Sequence, residues 1–117
     1  MTQIKPGTKL YLAGPMAGLP EHNYPAFNAA AEQLRDAGFE VMNPAEFEGD
    51  AGHEWAWYLK RNIPYLIKCD AVATLDNWWN SRGACLETSI AAEMGMPIIP
   101  VEMILASIVE CHESLMG

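Results

Sequence analysis

The sequence predicts an α/β domain with a doubly wound, mostly parallel sheet of about four to five strands and helices on both faces. Short apolar runs typical of buried strands alternate along the chain with stretches whose apolar residues recur at helical spacing. Half of the 117 residues are apolar and 19% are charged, a composition that excludes a disordered chain. The length fits one domain over residues 1–117.

Turn residues divide the first part of the chain into two strands and a helix. Residues 9–13 form the first predicted strand, which Gly14-Pro15 ends, and residues 39–42 form the second. Between them, Asn23 is expected to cap a helix that Gly38 ends. The apolar residues of this helix follow the spacing i, i+3, i+4, i+7: Phe27, Ala30, Ala31 and Leu34.

The second half of the chain repeats the alternation. A helix rich in Trp and Tyr is predicted over residues 54–68, and Pro64 is expected to bend or split it because proline lacks an N–H. The nearly continuous apolar run 71–75 is typical of a central strand buried on both faces. A third helix, a fourth buried strand and a last helix are predicted at residues 83–94, 97–101 and 103–116.

Charge and residue usage exclude several classes of partner. With 7 Lys+Arg against 15 Asp+Glu the net charge is −8, and the chain has no basic run, so a polymeric nucleic acid is excluded as a partner. No apolar run approaches the roughly 18 residues that span a bilayer, which argues against a membrane protein. Cys69, Cys85 and Cys111 form no C-x-x-C pair and indicate reduced thiols, so we expect a cytoplasmic protein.

Ligands of such sheets bind beyond the carboxyl ends of the strands, close to helix N-termini. This rule selects three loops, at residues 14–24, 43–53 and 76–83. The candidate substrate-binding residues in these loops are Gly14, Pro15, Met16, Gly18, Asp76, Ser81, Arg82 and Gly83.

Glu87 is the most informative single residue. On the third predicted helix it shares a face with Ala84, Ala91 and Met94, so a carboxylate lies in an apolar stripe. It also lies near the helix start, where the helix dipole favours an anion. The alternative is a glutamate of the first turns that faces water, as we expect of Glu93.

The candidate loops also have two interpretations each. Gly14 and Gly18 would allow a phosphate or ribose close to the backbone, or they would only be turn residues between a strand and a helix. Ser81, Arg82 and Gly83 bring a hydroxyl, a guanidinium and helix N–H groups together, which suits an anion. The alternative is a serine N-cap followed by a solvated arginine.

Aromatic residues and histidines are concentrated near the same loops. Five aromatic side chains are expected to stack on a nucleobase, to form a dimer interface or to fill the core: Trp55, Trp57, Tyr58, Trp78 and Trp79. His22 and His53 pair with no Cys or second His at ligand spacing, so neither a metal site nor a cofactor is expected.

Four segments together resemble a known family: residues 11–20, 43–46, 69–73 and 81–87. They resemble the DUF4406 family of phage and bacterial proteins. That family is similar to the nucleoside 2-deoxyribosyltransferase superfamily, which includes the deoxynucleoside 5′-monophosphate N-glycosidases. The resemblance implies a flavodoxin/Rossmann-like fold, a small-molecule nucleotide or nucleoside as partner, no cofactor, and a homodimer or higher homo-oligomer.

The resemblance also implies roles for individual residues. Glu87 matches the nucleophilic glutamate that attacks the anomeric carbon, and Tyr11 matches the tyrosine that orients it. Gly14 and Gly18 match the loop that binds the sugar phosphate. Ser81 matches a serine that binds phosphate in the monophosphate hydrolases, which favours a ligand phosphorylated at the 5′ position.

Two positions depart from the superfamily pattern. Asn62 stands where the superfamily usually has an aspartate that protonates or holds the leaving base, and an amide is not a general acid. Asp50, His53, Glu54 or water would then have to substitute for it. Ala17 stands where some hydrolases have an arginine that binds phosphate, a role open here to Arg82.

Three functions follow from these residues as hypotheses. The first is a nucleotide N-glycosidase or deoxyribosyltransferase-like enzyme that uses Glu87 as nucleophile. The second is a non-catalytic protein that binds a nucleotide or nucleotide sugar, which the amide of Asn62 motivates. The third is an interaction protein whose Trp78-Trp79 pair binds another protein.

Overall fold

Four parallel strands form one sheet in the computed structural model, which describes residues 4–47 and 52–116, with side chains described up to residue 108. The strands are β1 (Lys9–Ala13), β2 (Glu40–Met42), β3 (Ala71–Thr74) and β4 (Ile98–Pro100). They lie in the order β2-β1-β3-β4, and every neighbouring pair is parallel. The doubly wound α/β fold predicted from the sequence is confirmed, with four strands.

Four α-helices cover the two faces of the sheet. They are α1 (Tyr24–Asp36), α2 (Trp55–Leu66), α3 (Arg82–Glu93) and α4 (Val101–Met116). Alternate residues of β1 point to opposite faces, so Leu10 and Leu12 pack with α1 and α4, whereas Tyr11 and Ala13 pack with α2 and α3. Over residues 4–47 and 52–116, none of these helices combines the length and the hydropathy that crossing a bilayer requires.

The strand order reverses between β1 and β3. From β1 the chain crosses through α1 to β2 on one side, and it then returns through α2 to β3 on the other side. The connections that leave β1 and β3 therefore diverge at their carboxyl ends and open a crevice there. Leu10 pairs with Ala71 and Ala13 with Thr74, which brings the two carboxyl ends to the same level.

A turn after β2 closes one side of this crevice. Residues Pro44–Glu46 form a short 3₁₀ helix, and Asn43 caps it by accepting a hydrogen bond from the Ala45 N–H at 3.0 Å. Arg35 of α1 holds the same turn through two hydrogen bonds of 2.7 Å to the Glu46 carboxylate. The turn is thereby tied to both β2 and α1, so Pro44 faces the crevice from a fixed position.

Three local predictions need correction. Asn23 does not cap α1: its backbone is left-handed (φ 60°) and its Nδ2 donates to the Pro15 carbonyl at 2.9 Å. Pro64 does not split α2, because it stands in the last turn and the helix ends two residues later, at Leu66. Residues Ile98–Pro100 are half-buried rather than buried, since β4 is an edge strand.

Leu34 tests the core between α1 and the sheet. Its side chain is completely buried, and Leu34→Ala is expected to lower the free energy of unfolding by about 2–5 kcal/mol through lost burial and a residual cavity. The measurement is urea unfolding followed by circular dichroism. Leu19→Ala is the control, since this leucine is 40% exposed and its truncation should change the free energy by less than about 1 kcal/mol. Equal losses in the two variants would contradict the packing described here.

Candidate active site

A buried carboxylate lies at the centre of the crevice. Glu87 is 6% exposed on α3, one turn after the buried Ala84 and one turn before the buried Ala91. Tyr11 of β1, which is fully buried, donates its hydroxyl hydrogen to Glu87 Oε2. The helix face predicted from the sequence is therefore buried, and Glu87 lies on it. Met94, at the end of this face, is 50% exposed because α3 ends at Glu93.

Burial changes the acidity of this pair. Burial raises the pKa of Glu87 to about 7, while hydrogen bonds from Tyr11 and Asn62 and the charge of Arg61 lower it and offset part of the effect. Burial, followed by the nearby Glu87 carboxylate, raises the pKa of Tyr11 well above its usual value. Tyr11 is therefore a hydrogen-bond donor at neutral pH, and the Glu87 carboxylate is about half ionised there.

A cavity of about 630 Å³ opens at the carboxyl ends of β1 and β3, in the size range of small-molecule sites. Most of the residues selected from the sequence line it: Gly14, Pro15, Met16, Gly18, Asn62, Ser81, Arg82, Gly83 and Glu87. Tyr11 does not line the cavity and holds Glu87 from within the core. Glu87 thus lies in the cavity wall and is hydrogen-bonded, through Tyr11, to strand β1 of the sheet.

Asp76 does not belong to this group. It is exposed and lines a separate pocket of about 220 Å³, together with Thr74 and Glu102, on the side of α1 and α4. The chain leaves β3 at Thr74 and turns first towards that face, so Asp76 lies outside the wall of the larger cavity, and its expected role in substrate binding stays a prediction.

Gly14 and Gly18, in the loop after β1, are glycines for different structural reasons. A Cβ on Gly14 would lie 2.8 Å from the Cβ of Leu75, so the loops that follow β1 and β3 approach too closely for any side chain. Gly18 has a φ of +79°, which is the left-handed conformation of a turn. The close approach of Leu75 thus explains Gly14 and the backbone conformation explains Gly18, and both glycines line the cavity.

The start of α3 contributes polar groups to the cavity. Ser81 caps the helix, since its Oγ accepts a hydrogen bond from the Ala84 N–H at 3.1 Å, while its hydroxyl hydrogen can still donate. The Arg82 guanidinium stacks on Trp55, with Cζ 3.5 Å from the ring centroid. The serine cap expected as an alternative is therefore present, and the arginine, although exposed, is held against Trp55 at the wall of the cavity.

Helix α2 supplies a wall of the cavity, of which the sequence analysis singled out Trp55, Tyr58 and Asn62 but not Leu59 and Arg61. Tyr58, Leu59 and Arg61 line the cavity beside Trp55 and Asn62. Positions 55, 58, 59 and 62 follow the helical spacing i, i+3, i+4, i+7, and this signal was available in the sequence. It passed unnoticed because aromatic residues occur on several sides of this helix.

The other aromatic residues and histidines divide between cavity and surroundings. Trp57 stacks on His53 at 3.8 Å between ring centroids, and neither lines the cavity, whereas His22 does. Trp79 is 61% exposed. Of the groups considered as substitutes for an acid at position 62, Glu54 lies outside the cavity wall, like His53, and Asp50 falls outside the described residues.

In the described ranges, no three His, Cys, Asp or Glu side chains come together as a group that would hold a metal ion. The polar groups of the cavity are instead a carboxylate, amides, hydroxyls and guanidinium groups, which suit an organic ligand with an anionic part.

Comparison with known proteins identifies the family. The model of the family described as "Domain of unknown function (DUF4406)" matches residues 8–100, most of the chain. The chain belongs to the DUF4406 family. No curated protein matches this DUF4406 protein by sequence.

A solved structure shows the same fold. It is that of a 2-deoxyribosyltransferase from the psychrotolerant bacterium Bacillus psychrosaccharolyticus, described as a biocatalyst for the industrial synthesis of nucleosides. The TM-score is 0.61 at 23% sequence identity, over 78% of this chain and 70% of that chain. The DUF4406 protein and this deoxyribosyltransferase therefore share their fold.

Glu87→Gln tests the cost of burying the carboxylate. The folded protein, with a Glu87 pKa of about 7, binds more protons between pH 4.5 and 7 than the unfolded chain, where the value is 4.5, so stability falls as pH rises through this range. The variant cannot ionise and should exceed the wild type in unfolding free energy at pH 8 by an amount on the order of 3 kcal/mol. The gain should vanish near pH 4.

Denaturant unfolding at several pH values measures this difference. Glu93→Gln, on the exposed side of the same helix, is the matched control and should leave the pH dependence unchanged. A Glu87→Gln variant less stable than the wild type at pH 8 would show that the carboxylate stabilises the fold, contrary to this account.

Proposed function

We propose that this DUF4406 protein cleaves the N-glycosidic bond of a nucleoside 5′-monophosphate, by hydrolysis or by deoxyribosyl transfer, with Glu87 as the nucleophile. The observation that carries the proposal is a buried carboxylate that opens onto a cavity of about 630 Å³ and is oriented by Tyr11. The fold shared with a 2-deoxyribosyltransferase supports the same class of reaction.

The reaction would take place in two displacements. Glu87 Oε2 accepts a hydrogen bond from the Tyr11 hydroxyl. The other oxygen, Oε1, therefore attacks C1′ of the sugar. The bond from C1′ to the base nitrogen breaks, its electron pair stays on the base, and a glycosyl ester forms on Glu87. Water then attacks C1′, the bond from C1′ to the Glu87 oxygen breaks and restores the carboxylate, and the proton that the water gives up neutralises the departed base through solvent. A second base in place of water would give transfer.

The acidity of Glu87 suits this role. A carboxylate attacks only when it is ionised, and its nucleophilicity increases when water is excluded from it. With a pKa of about 7, part of the protein carries the ionised form at neutral pH. The reaction rate should therefore fall as the pH decreases below 7, by about tenfold per unit.

The two ends of the cavity differ in the part of a nucleotide that they fit. Ser81, Arg82 and the N–H groups at the start of α3 favour a phosphate. The loop after β1, the start of α1 and the turn after β2 bring less polar side chains, namely Met16, Tyr24 and Pro44, which suit a base. A 5′-phosphate at α3 and a base at the β2 side are consistent with this division.

The alternative is a protein that binds a nucleotide or nucleotide sugar without cleaving it. Asn62 favours it, because the amide contacts Glu87 yet cannot protonate a departing base. In the enzyme, the base would have to leave without a proton from position 62. Base release distinguishes the two functions.

Base release is the first measurement. The purified protein is incubated with ribo- and deoxyribonucleoside 5′-monophosphates, and free base is followed by chromatography. We expect the wild type to release a base from one or a few of them, and Glu87→Gln to lose this activity by about three orders of magnitude or more. Glu93→Gln is the matched control and should retain the wild-type rate.

Each other result has a defined meaning. Release at the wild-type rate by Glu87→Gln would contradict the proposed nucleophile. Thermal stabilisation by one nucleotide without any base release would favour the binding protein.

Arg82→Met tests the phosphate end. Losing a hydrogen bond to a charged group should weaken the binding of the 5′-monophosphate about tenfold or more, while the Kd of the corresponding nucleoside changes less than about twofold. Calorimetry measures both. Lys68→Met removes an equal charge at an exposed position away from the cavity and should leave both constants unchanged. Equal losses of affinity for the nucleotide and the nucleoside would show that Arg82 contacts a part of the ligand other than the phosphate.

The homo-oligomeric assembly and the cytoplasmic location expected from the sequence stay predictions.

A further inference from the structure

Arg61 has surroundings that the proposed chemistry leaves unexplained. Its guanidinium is half-buried, with Cζ 5.5 Å from the ring centroid of Phe47 and 5.4 Å from the centroids of Trp57 and Tyr58. Three aromatic rings thus surround one cation on the wall of the cavity. Such packing restricts a long side chain that would otherwise sample many rotamers.

One hydrogen bond links this cation to the neighbouring amide. Arg61 Nε donates to Asn62 Oδ1 at 2.9 Å. A guanidinium has only donors, so the atom that faces it must be the amide oxygen. The NH₂ group of Asn62 is thereby directed away from Arg61, and it is the only end of the amide that a carboxylate can accept from.

The Glu87 carboxylate is the acceptor that this NH₂ group meets. Asn62 and Glu87 line the same cavity, and hydrogen bonding by Asn62 is one of the causes that lower the pKa of Glu87. Tyr11 donates to the same carboxylate from β1. A reversed amide would set its oxygen against the Glu87 carboxylate and its NH₂ group against the Nε–H of Arg61, so the contacts agree on one orientation.

We propose that Arg61 is a positioning residue for the nucleophile, which fixes the Asn62 amide in the orientation that directs its NH₂ group to Glu87. In this arrangement Asn62 is neither an acid nor the remnant of one; it is a neutral donor to the nucleophile. An aspartate there would instead set a second carboxylate against Glu87 and form an ion pair with Arg61. The inference rests on the proposed function only in treating Glu87 as the reacting group.

Other charged and titratable groups near Glu87 are few and can be held constant. Tyr11 faces it from β1 and Arg61 from α2, while the cavity wall that it shares also carries His22, Tyr24, Tyr58 and Arg82. A change at Arg61 or Asn62 leaves all the remaining groups in place. The protonation of Glu87 is therefore a direct measure of the proposed orientation.

The test is a double-mutant cycle read by carboxyl ¹³C NMR. The Glu87 signal is assigned by its loss in Glu87→Gln and is titrated in the wild type, Arg61→Met, Asn62→Ala and the double variant. Methionine keeps a long apolar stem among the three rings and removes every donor. Lys60→Met, an exposed cation on the same helix, is the matched control.

Each single variant should raise the pKa of Glu87 by about one unit, since each loses a donor to the ionised form. The double variant should exceed Asn62→Ala by less than the full shift of Arg61→Met, because Arg61 acts partly through the amide and partly through its own charge. Lys60→Met should change the pKa of Glu87 by less than about 0.2 units. In the base-release assay, Arg61→Met should then lose about tenfold in activity at pH 6 but only about twofold at pH 8.

Two results overturn the inference. An unchanged Glu87 pKa in Arg61→Met means that Arg61 does not position Asn62. Fully additive shifts of the Glu87 pKa in the double variant mean that Arg61 acts on Glu87 by its charge alone. If Arg61→Met does not fold, Arg61→Lys keeps the charge without the planar Nε–H, and a wild-type value in that variant also overturns the inference. Since the titration needs no turnover, failure of the proposed function is recognised separately, by the absence of base release from the wild type.

Discussion

The cavity of this protein depends on one contact, the hydrogen bond from the Tyr11 hydroxyl to the Glu87 carboxylate. A carboxylate that is 6% exposed is unfavourable in a small core unless donors reach it. Tyr11 provides a donor because β1 is one of the two inner strands and the Tyr11 side chain points to the face covered by α3. The register of the sheet, the packing of α3 and the acidity of Glu87 are therefore parts of a single constraint.

The burial of Glu87 that this contact requires lowers the stability of the fold but increases the reactivity of the carboxylate. Water around Glu87 would favour its charge and strengthen the fold at neutral pH, but it would also weaken the carboxylate as a nucleophile. The protein instead surrounds it with a phenol, an amide and, at a greater distance, a guanidinium. These groups keep the carboxyl near the midpoint of its titration at neutral pH, where small changes in its surroundings alter its charge most.

Much of the fold was predictable because its signals are local. The limits of β1 at Lys9–Ala13 coincide with the prediction, since an apolar run and a Gly-Pro turn define them. The inward face of Glu87 followed from helical spacing alone. The differences arose where tertiary contacts decide: Asn23 bonds to the Pro15 carbonyl instead of capping α1, and Asp76 turns to the other face of the sheet.

The candidate site was less predictable than the fold. Arg61 lies next to Asn62 in the sequence, yet nothing local shows that Phe47, from another loop, completes the group of rings around it. Likewise, the need for glycine at position 14 depends on Leu75, sixty-one residues away along the chain. Residue types and spacing located the carboxylate, whereas the groups that control it are visible only when separate elements are brought together.

The ends of the sheet have a consequence for how copies of this protein meet. Both edge strands, β2 and β4, have only three residues, and β4 ends in Pro100, which has no N–H to offer to another strand. Such short edges are poor templates for adding a strand, which protects a parallel sheet from growing into aggregates. Any stable association between copies is therefore directed to the helical faces, where side chains rather than backbone groups select the partner.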